Sequence, residues 1–202
     1  MEPLCDLRGR ILAIGAGAST SAIIDGLLRC HASKQFARPV TLYIVGGTEA
    51  VAPLSAAEAL LLLGIMKTVR SPLRTVGMGY LTGWAPLLLA SGTIGQRWLL
   101  PQTLLSLGPL KWDGLPPMRA PIGLQPAPAN SSHHQTERLL RKQLRNLLAE
   151  LNLPSRLFAS NRVWTAPTAI QHRLADRVVE RTFSPELLTN ITKNHEPEPC
   201  TH

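Results

Sequence analysis

The stretch Arg74–Pro109, RTVGMGYLTGWAPLLLASGTIGQRWLLPQTLLSLGP, decides how this chain is read. Thr75–Met78 is short and apolar, as a buried strand is, and Gly77 and Gly79 mark a sharp turn of the backbone. Leu81–Ala90 carries no charge, which predicts a helix buried on most sides. Gly92 and Gly95 stop it, since glycine commonly sits at and beyond a helix C-terminus. Leu99–Leu107 is a second apolar segment, containing Pro101. In α/β enzymes a strand that turns sharply into a buried helix often carries a nucleophile. Here the turn holds Thr82 and Gly83, and neither serine nor cysteine.

Upstream, Arg10–Gly15 is a strand and Val40–Val45 a second, rich in β-branched residues. Between them, Ser19 is placed to cap a helix over Ser21–Ser33, whose Ile23, Ile24, Leu27 and Leu28 recur at helical spacing. Strand, helix and strand in this order call for a parallel crossover, hence an α/β fold. Gly15–Thr20 follows a strand and precedes a helix, but Thr20 stands where a dinucleotide fingerprint has its third glycine, so it reads as a plain turn. Ala56–Lys67 is a long apolar helix. Residues 110–135 are irregular and proline-rich, and proline removes ladder donors. Thr136–Leu151 is an amphipathic helix, with Leu140, Leu144, Leu147, Leu148 and Leu151 on one stripe and Arg138, Arg141, Lys142 and Arg145 on the remainder. Pro167–Arg173 is a short helix, and 183–202 is a polar tail.

With 202 residues, one domain over 1–182 is expected, and 45% hydrophobic against 17% charged residues describes a folded chain with a sizeable core. The net charge of +8 is scattered and only 4% of residues are aromatic, so it reads as a solvated basic surface without a nucleic-acid partner. Cys5, Cys30 and Cys200 are odd in number and lack a C-x-x-C, which fits neither a disulfide framework nor a zinc site and points to a reducing compartment. Adjacent His133 and His134 do not share a helix face, so neither a metal nor a cofactor is expected. The longest apolar run, Ala59–Met66, is too short to cross a bilayer, so a soluble protein is expected.

The run VGMGYLTGWAPLLLASGTIGQRWLLPQT over residues 76–103 resembles the signature region of ClpP, the proteolytic subunit of the Clp protease. That family's Ala/Ser-Gly-x-x-Gly-x-Arg-x-x-Leu-Pro segment is matched without a gap by Ser91, Gly92, Gly95, Arg97, Leu100 and Pro101. Counting from it, the family's serine falls on Gly83 and its histidine on Gly108; the stretch Asn161–Ala169 puts Asn161 at its aspartate. A Ser-His-Asp mechanism needs a hydroxyl, an imidazole and an orienting carboxylate, so no catalytic residue is intact and the chain resembles the non-catalytic ClpR type. The resemblance spans residues 7–180. It implies a ClpP/crotonase-like spiral of ββα units, with 110–135 as the handle region and 136–151 as a handle helix whose stripe meets an opposite ring, alongside the alternative of an ordinary amphipathic helix packed on its own core. It also implies a heptameric ring shared with catalytic ClpP subunits and other ClpR-like paralogues, a second ring face to face, and a Clp AAA+ ATPase. The compartment implied is a plastid stroma or a cyanobacterial-type cytoplasm, with no membrane.

In that family a Gly-Gly pair supplies oxyanion donors, for which Gly46 and Gly47 are the candidates, alongside the alternative of a simple turn. Tyr43, in VTLYIV, matches one aromatic of the ATPase-docking pocket, while Thr41 replaces another. Two other functions stay open: a serine peptidase with a displaced nucleophile, Ser91 or Ser106 with His133 or His172, and a crotonase-like acyl-CoA enzyme that needs no serine.

Overall fold

Strand alternation and a set of buried helices build the larger of two sheets. The computed structural model describes residues 5–6, 10–15, 19–33, 35, 37–47, 54–108, 110, 130–154, 157 and 162–179. Asn161, most of the proline-rich segment and the tail lie outside these, as do the side chains of residues 130–137. The elements are β1 (Cys5–Asp6), β2 (Ile11–Ile14), α1 (Thr20–Ala32), β3 (Val40–Val45), α2 (Ala56–Thr68), β4 (Leu73–Met78), β5 (Tyr80–Leu81), α3 (Ala85–Ala90), β6 (Arg97–Leu99), β7 (Leu104–Ser106), α4 (Asn130–Glu150), β8 (Val163–Thr165), α5 (Ala166–Gln171) and β9 (Arg177–Val178). Six strands form one sheet in the order β1-β2-β3-β4-β6-β9, parallel throughout except for the antiparallel β1–β2 edge. A smaller sheet runs β5-β7-β8. The chain is therefore α/β with a mostly parallel main sheet.

In the main sheet the side chains of Leu12, Ile14, Leu42, Ile44, Leu73, Thr75 and Leu99 form the buried face, which shares one core with the inner residues of α1, α2 and α3. The alternate positions Ile11, Ala13, Thr41, Tyr43, Arg74 and Trp98 are half-buried on the other face. Ser19 caps α1 as its sequence predicts, its hydroxyl accepting from Ala22 N at 3.3 Å. Leu28 does not join the inner stripe of α1 and is 47% exposed. On α2, Ser55 and Glu58 form a reciprocal capping box, and Ala56, Ala59, Leu62, Leu63 and Met66 face inward.

Three predicted elements change on folding. The helix expected over 81–90 opens only at Ala85, because Tyr80 and Leu81 pair with β7 as β5 and Gly83 turns at φ +60°. Leu99–Leu107 is two strands in two sheets, divided at the Pro101–Gln102 turn. The amphipathic helix begins six residues early, at Asn130. Leu147 and Leu148 on that helix are buried in this chain's own core, with Leu144 and Leu151 packed against it, while Leu139 is 58% exposed. An ion pair between Lys67 and Glu150 joins α2 to α4.

Arg97 and Asp176 hold β9 onto the sheet. Arg97 Nη2 donates to Asp176 Oδ1 at 2.6 Å and Nε to Oδ2 at 3.0 Å, and Nη1 donates to Arg173 O at 2.9 Å. The main chain of Arg97 adds two more bonds, its N–H donating to the Asp176 Oδ2 carboxylate oxygen at 2.9 Å and its carbonyl accepting from Asp176 N at 2.7 Å. Burial pushes the Asp176 carboxyl up, but the Arg97 hydrogen bonds and charge outweigh it and hold the group below its ordinary value. That stabilisation is complete above the unfolded carboxyl value of about 3.9 and is lost as pH falls through the lower folded value. Asp176→Asn leaves a 7% exposed guanidinium without its counter-charge; we expect a loss of about 3–5 kcal/mol in urea unfolding. The gap between variant and wild type should close as pH falls below about 3.9.

Candidate functional site

The candidate site is the crossing between β4 and α3, and it is built from backbone. Gly77 lies between Leu81 and Leu99, where a Cβ would come within 2.8 Å of both side chains. Gly79, at φ +75°, faces the carbonyl of Gly46, and Gly46 in turn faces the carbonyl of Tyr80. No side chain fits at either contact, so β3 and the β4–β5 link approach as bare main chain. Gly46 N donates to Met78 O at 2.8 Å and lengthens the parallel β3–β4 ladder by a residue. That N–H is therefore engaged; of the candidate oxyanion pair, Gly47 is exposed beyond it.

After β5 the chain turns at Thr82–Trp84, with Ala85 N donating to Thr82 O at 3.1 Å. Trp84 is buried and α3 is sealed by Pro86, Leu87, Leu88 and Leu89, which anchors the turn from within. Gly83 itself looks onto open space, with nothing within 4 Å of where its Cβ would stand. There is room for a side chain here, at a left-handed φ of +60°, and the position carries none.

The smaller sheet relates Gly83 to Gly108. Tyr80 and Leu81 pair in parallel with Leu104 and Leu105, so the two strands run the same way and both glycines leave the same end. β8 runs back along β7, and Leu107 N donates to Arg162 O at 3.2 Å. The chain thus enters β8 at the end where Gly83 and Gly108 leave. Asn161 precedes Arg162 in sequence and lies outside the described residues.

The displaced nucleophile candidates are apart from this turn. Ser91 ends α3 and its hydroxyl donates to Leu87 O at 2.8 Å. His172 stacks on Trp164, with ring centroids 4.2 Å apart. Ser106 pairs with Val163 while Trp164 pairs with Leu105, so alternation sends Ser106 and Trp164 to opposite faces of the small sheet. Ser106 and His172 are not brought together. The side chain of His133 lies outside the described ones. Among the described residues no group of histidine, cysteine, aspartate or glutamate could hold a metal ion, and no helix is long and apolar enough to cross a membrane.

Tyr43 is half-buried on the outer face of the main sheet, in register with Val76. Burial pushes its phenol up, against the opposing charge of Arg74. On the same face the Arg74 and Arg177 guanidinium carbons each lie 4.1 Å from the Trp98 ring centroid. Sequence reading passes over this cluster. The available signal is the strand alternation in Arg74-Thr75-Val76 and Arg97-Trp98-Leu99, which puts a large polar or aromatic residue at outward positions.

No family model and no curated protein matches the chain. Among solved structures it is similar to a peptidase from Plasmodium falciparum, with a TM-score of 0.68 and 18% identity over 87% of this chain and 98% of that one. At that identity the likeness shows a shared fold, and an α/β architecture is what the two chains have in common.

Two glycines of the crossing should respond differently to a methyl group. Gly83→Ala meets no neighbour and should cost only the left-handed backbone penalty, about 1 kcal/mol. Gly79→Ala adds a clash with the Gly46 carbonyl to the same penalty, for roughly 3 kcal/mol. Urea unfolding of the two variants checks both, and equal losses would contradict the backbone-contact account of the crossing.

Proposed function

We propose that the chain is a non-catalytic, ClpR-like structural subunit of an ATP-dependent Clp protease core. The observation that carries this reading is that Gly83 and Gly108 follow neighbouring parallel strands at the same end, beside the start of β8. A nucleophile and its base would stand there, and both positions lack a side chain. The equivalence of Asn161 to the orienting aspartate belongs to the same proposal. The peptidase-type fold supports it, because a fold is specified by its core independently of its catalytic residues. In this reading the spiral of ββα units is complete and the chain adds wall to the degradation chamber. Its neighbours in a heptameric ring are catalytic ClpP subunits and ClpR-like paralogues, with a second ring face to face. A Clp AAA+ ATPase is the further partner, with Tyr43 on the docking side, in a plastid stroma or a cyanobacterial-type cytoplasm.

The competing peptidase reading needs a serine and a histidine in contact. Ser106 and the Trp164–His172 stack lie on opposite faces of the small sheet, and the Ser91 hydroxyl is engaged at the end of α3. The test is to purify the chain alone and together with an active ClpP of the same source. We expect the chain to stay unlabelled by a serine-directed fluorophosphonate, to be inert on a fluorogenic peptide, and to enter a ring-sized mixed complex by native mass. Labelling of the chain itself would overturn the non-catalytic reading, and failure to enter the ring would overturn the subunit reading.

A further inference from the structure

The outer face of the main sheet, the face on which the proposed function sets Tyr43 for docking, also carries a cation cluster to which that function gives no role. β4, β6 and β9 are neighbours there, and their registers align Val76 with Trp98 and Trp98 with Arg177. The Arg74 and Arg177 guanidinium carbons both stand 4.1 Å from the Trp98 ring centroid. Arg74 Nε donates to Gln96 Oε1 at 3.0 Å, which fixes the plane of its fork. Among the described residues the ion pairs are Asp25–Arg29, Glu150–Lys67 and Asp176–Arg97, and none neutralises Arg74 or Arg177. Two like charges are thus gathered on one aromatic ring. Burial, and then the charge of Arg177, pushes the Arg74 guanidinium down from its ordinary value. An arriving anion would relieve that repulsion.

We propose that this face binds an acidic polypeptide segment, whose carboxylates are held by the guanidinium forks of Arg74 and Arg177 stacked on Trp98. The planar fork matches a carboxylate with two parallel N–H donors, and stacking on the indole orders it in advance. The surroundings favour a peptide over other anions. Ala13, Tyr43 and Met78 flank the pair on the same face and offer apolar surface to side chains between the acids. A nucleic acid fits poorly: the Trp98 ring is engaged by guanidinium, which removes the platform for base stacking, and two adjacent cations do not track a phosphate backbone. The inference does not depend on whether the chain enters a ring.

The test titrates the full chain, at physiological ionic strength, into a fluorescein-labelled peptide of alternating glutamate and alanine, read by anisotropy. The comparison peptide has glutamine at every glutamate. We expect the glutamate peptide to bind at least about tenfold more tightly, the scale of charge-assisted hydrogen bonds. Arg177 is exposed, so Arg177→Gln tests the pair without risk to the core, and it should weaken the glutamate peptide about tenfold. Arg177→Lys should recover only part of the loss, since it restores the charge without the fork. Arg138→Gln on exposed α4 should change nothing. Equal weakening by Arg138→Gln and Arg177→Gln would reduce the effect to the net charge of +8 and overturn the site. So would indifference to glutamate against glutamine, or stronger binding of a phosphoserine peptide or a single-stranded oligonucleotide of equal length.

Discussion

The bidentate contact between Arg97 and Asp176 is the constraint on which both faces of the main sheet depend. It joins β6 to β9, two strands separated by more than seventy residues of chain, and the short β9 has few ladder bonds of its own. Because Arg97 also donates to the carbonyls of Ala90 and Arg173, the same guanidinium ties down the end of α3 and the loop before β9. The residues next in sequence, Trp98 and Arg177, then emerge side by side on the opposite face. One interaction facing inward therefore fixes the geometry of a cluster facing outward. A charge pair this enclosed contributes little net stability compared with an apolar replacement, yet leaving either partner alone is costly. Its effect is to specify which strand lies next to which.

The glycines of the β4–β5 crossing form a second constraint, and the two meet at Gly92. A Cβ at Gly92 would strike Thr75, whose hydroxyl donates to Leu89 O at 2.8 Å, and would crowd the Arg97 stem. The Gly-x-x-Gly-x-Arg spacing of residues 92–97 thus has a packing reason: a bare position beside a buried threonine, a turn at φ +83° on Gly95, and an arginine aimed back under the helix end. None of these requirements involves catalysis. They hold the turn at Gly83 in shape whether or not a nucleophile stands on it.

Much of this was legible in the sequence, where local rules decide the outcome. VTLYIV and the Ser19 cap follow from β-branching and capping chemistry, and both form as expected. The α/β class followed from the order of elements. The errors came where non-local contacts outweigh local pattern. Apolar Leu81 suits a helix as well as a strand, and only pairing with Leu105 decides for β5. Leu99 and Leu104 read as one run until their partners, β4 and β5, pull them into different sheets. The leucine stripe of α4 was equally ambiguous: periodicity shows an apolar face without showing what covers it. Here Leu147 and Leu148 are covered by the chain's own core.

The candidate site shows the same limit from the other side. Gly83 and Gly108 stand twenty-five residues apart in sequence, and neither has a side chain through which a chemical role could be read. What relates them is the parallel register of β5 and β7, a property of the backbone alone. Loss of a side chain leaves that register intact, because the bonds that set it run between main-chain groups and the packing behind it comes from Leu81, Leu87 and Leu105, all fully buried. The bare crossing at Gly46 and Gly79 belongs to the same backbone framework, and positions 83 and 108 lie outside it. The outward pair on Trp98 carries the opposite signature. Two guanidinium groups share one ring there, their mutual repulsion is set against the attraction of each for the indole face, and among the described residues no carboxylate neutralises either.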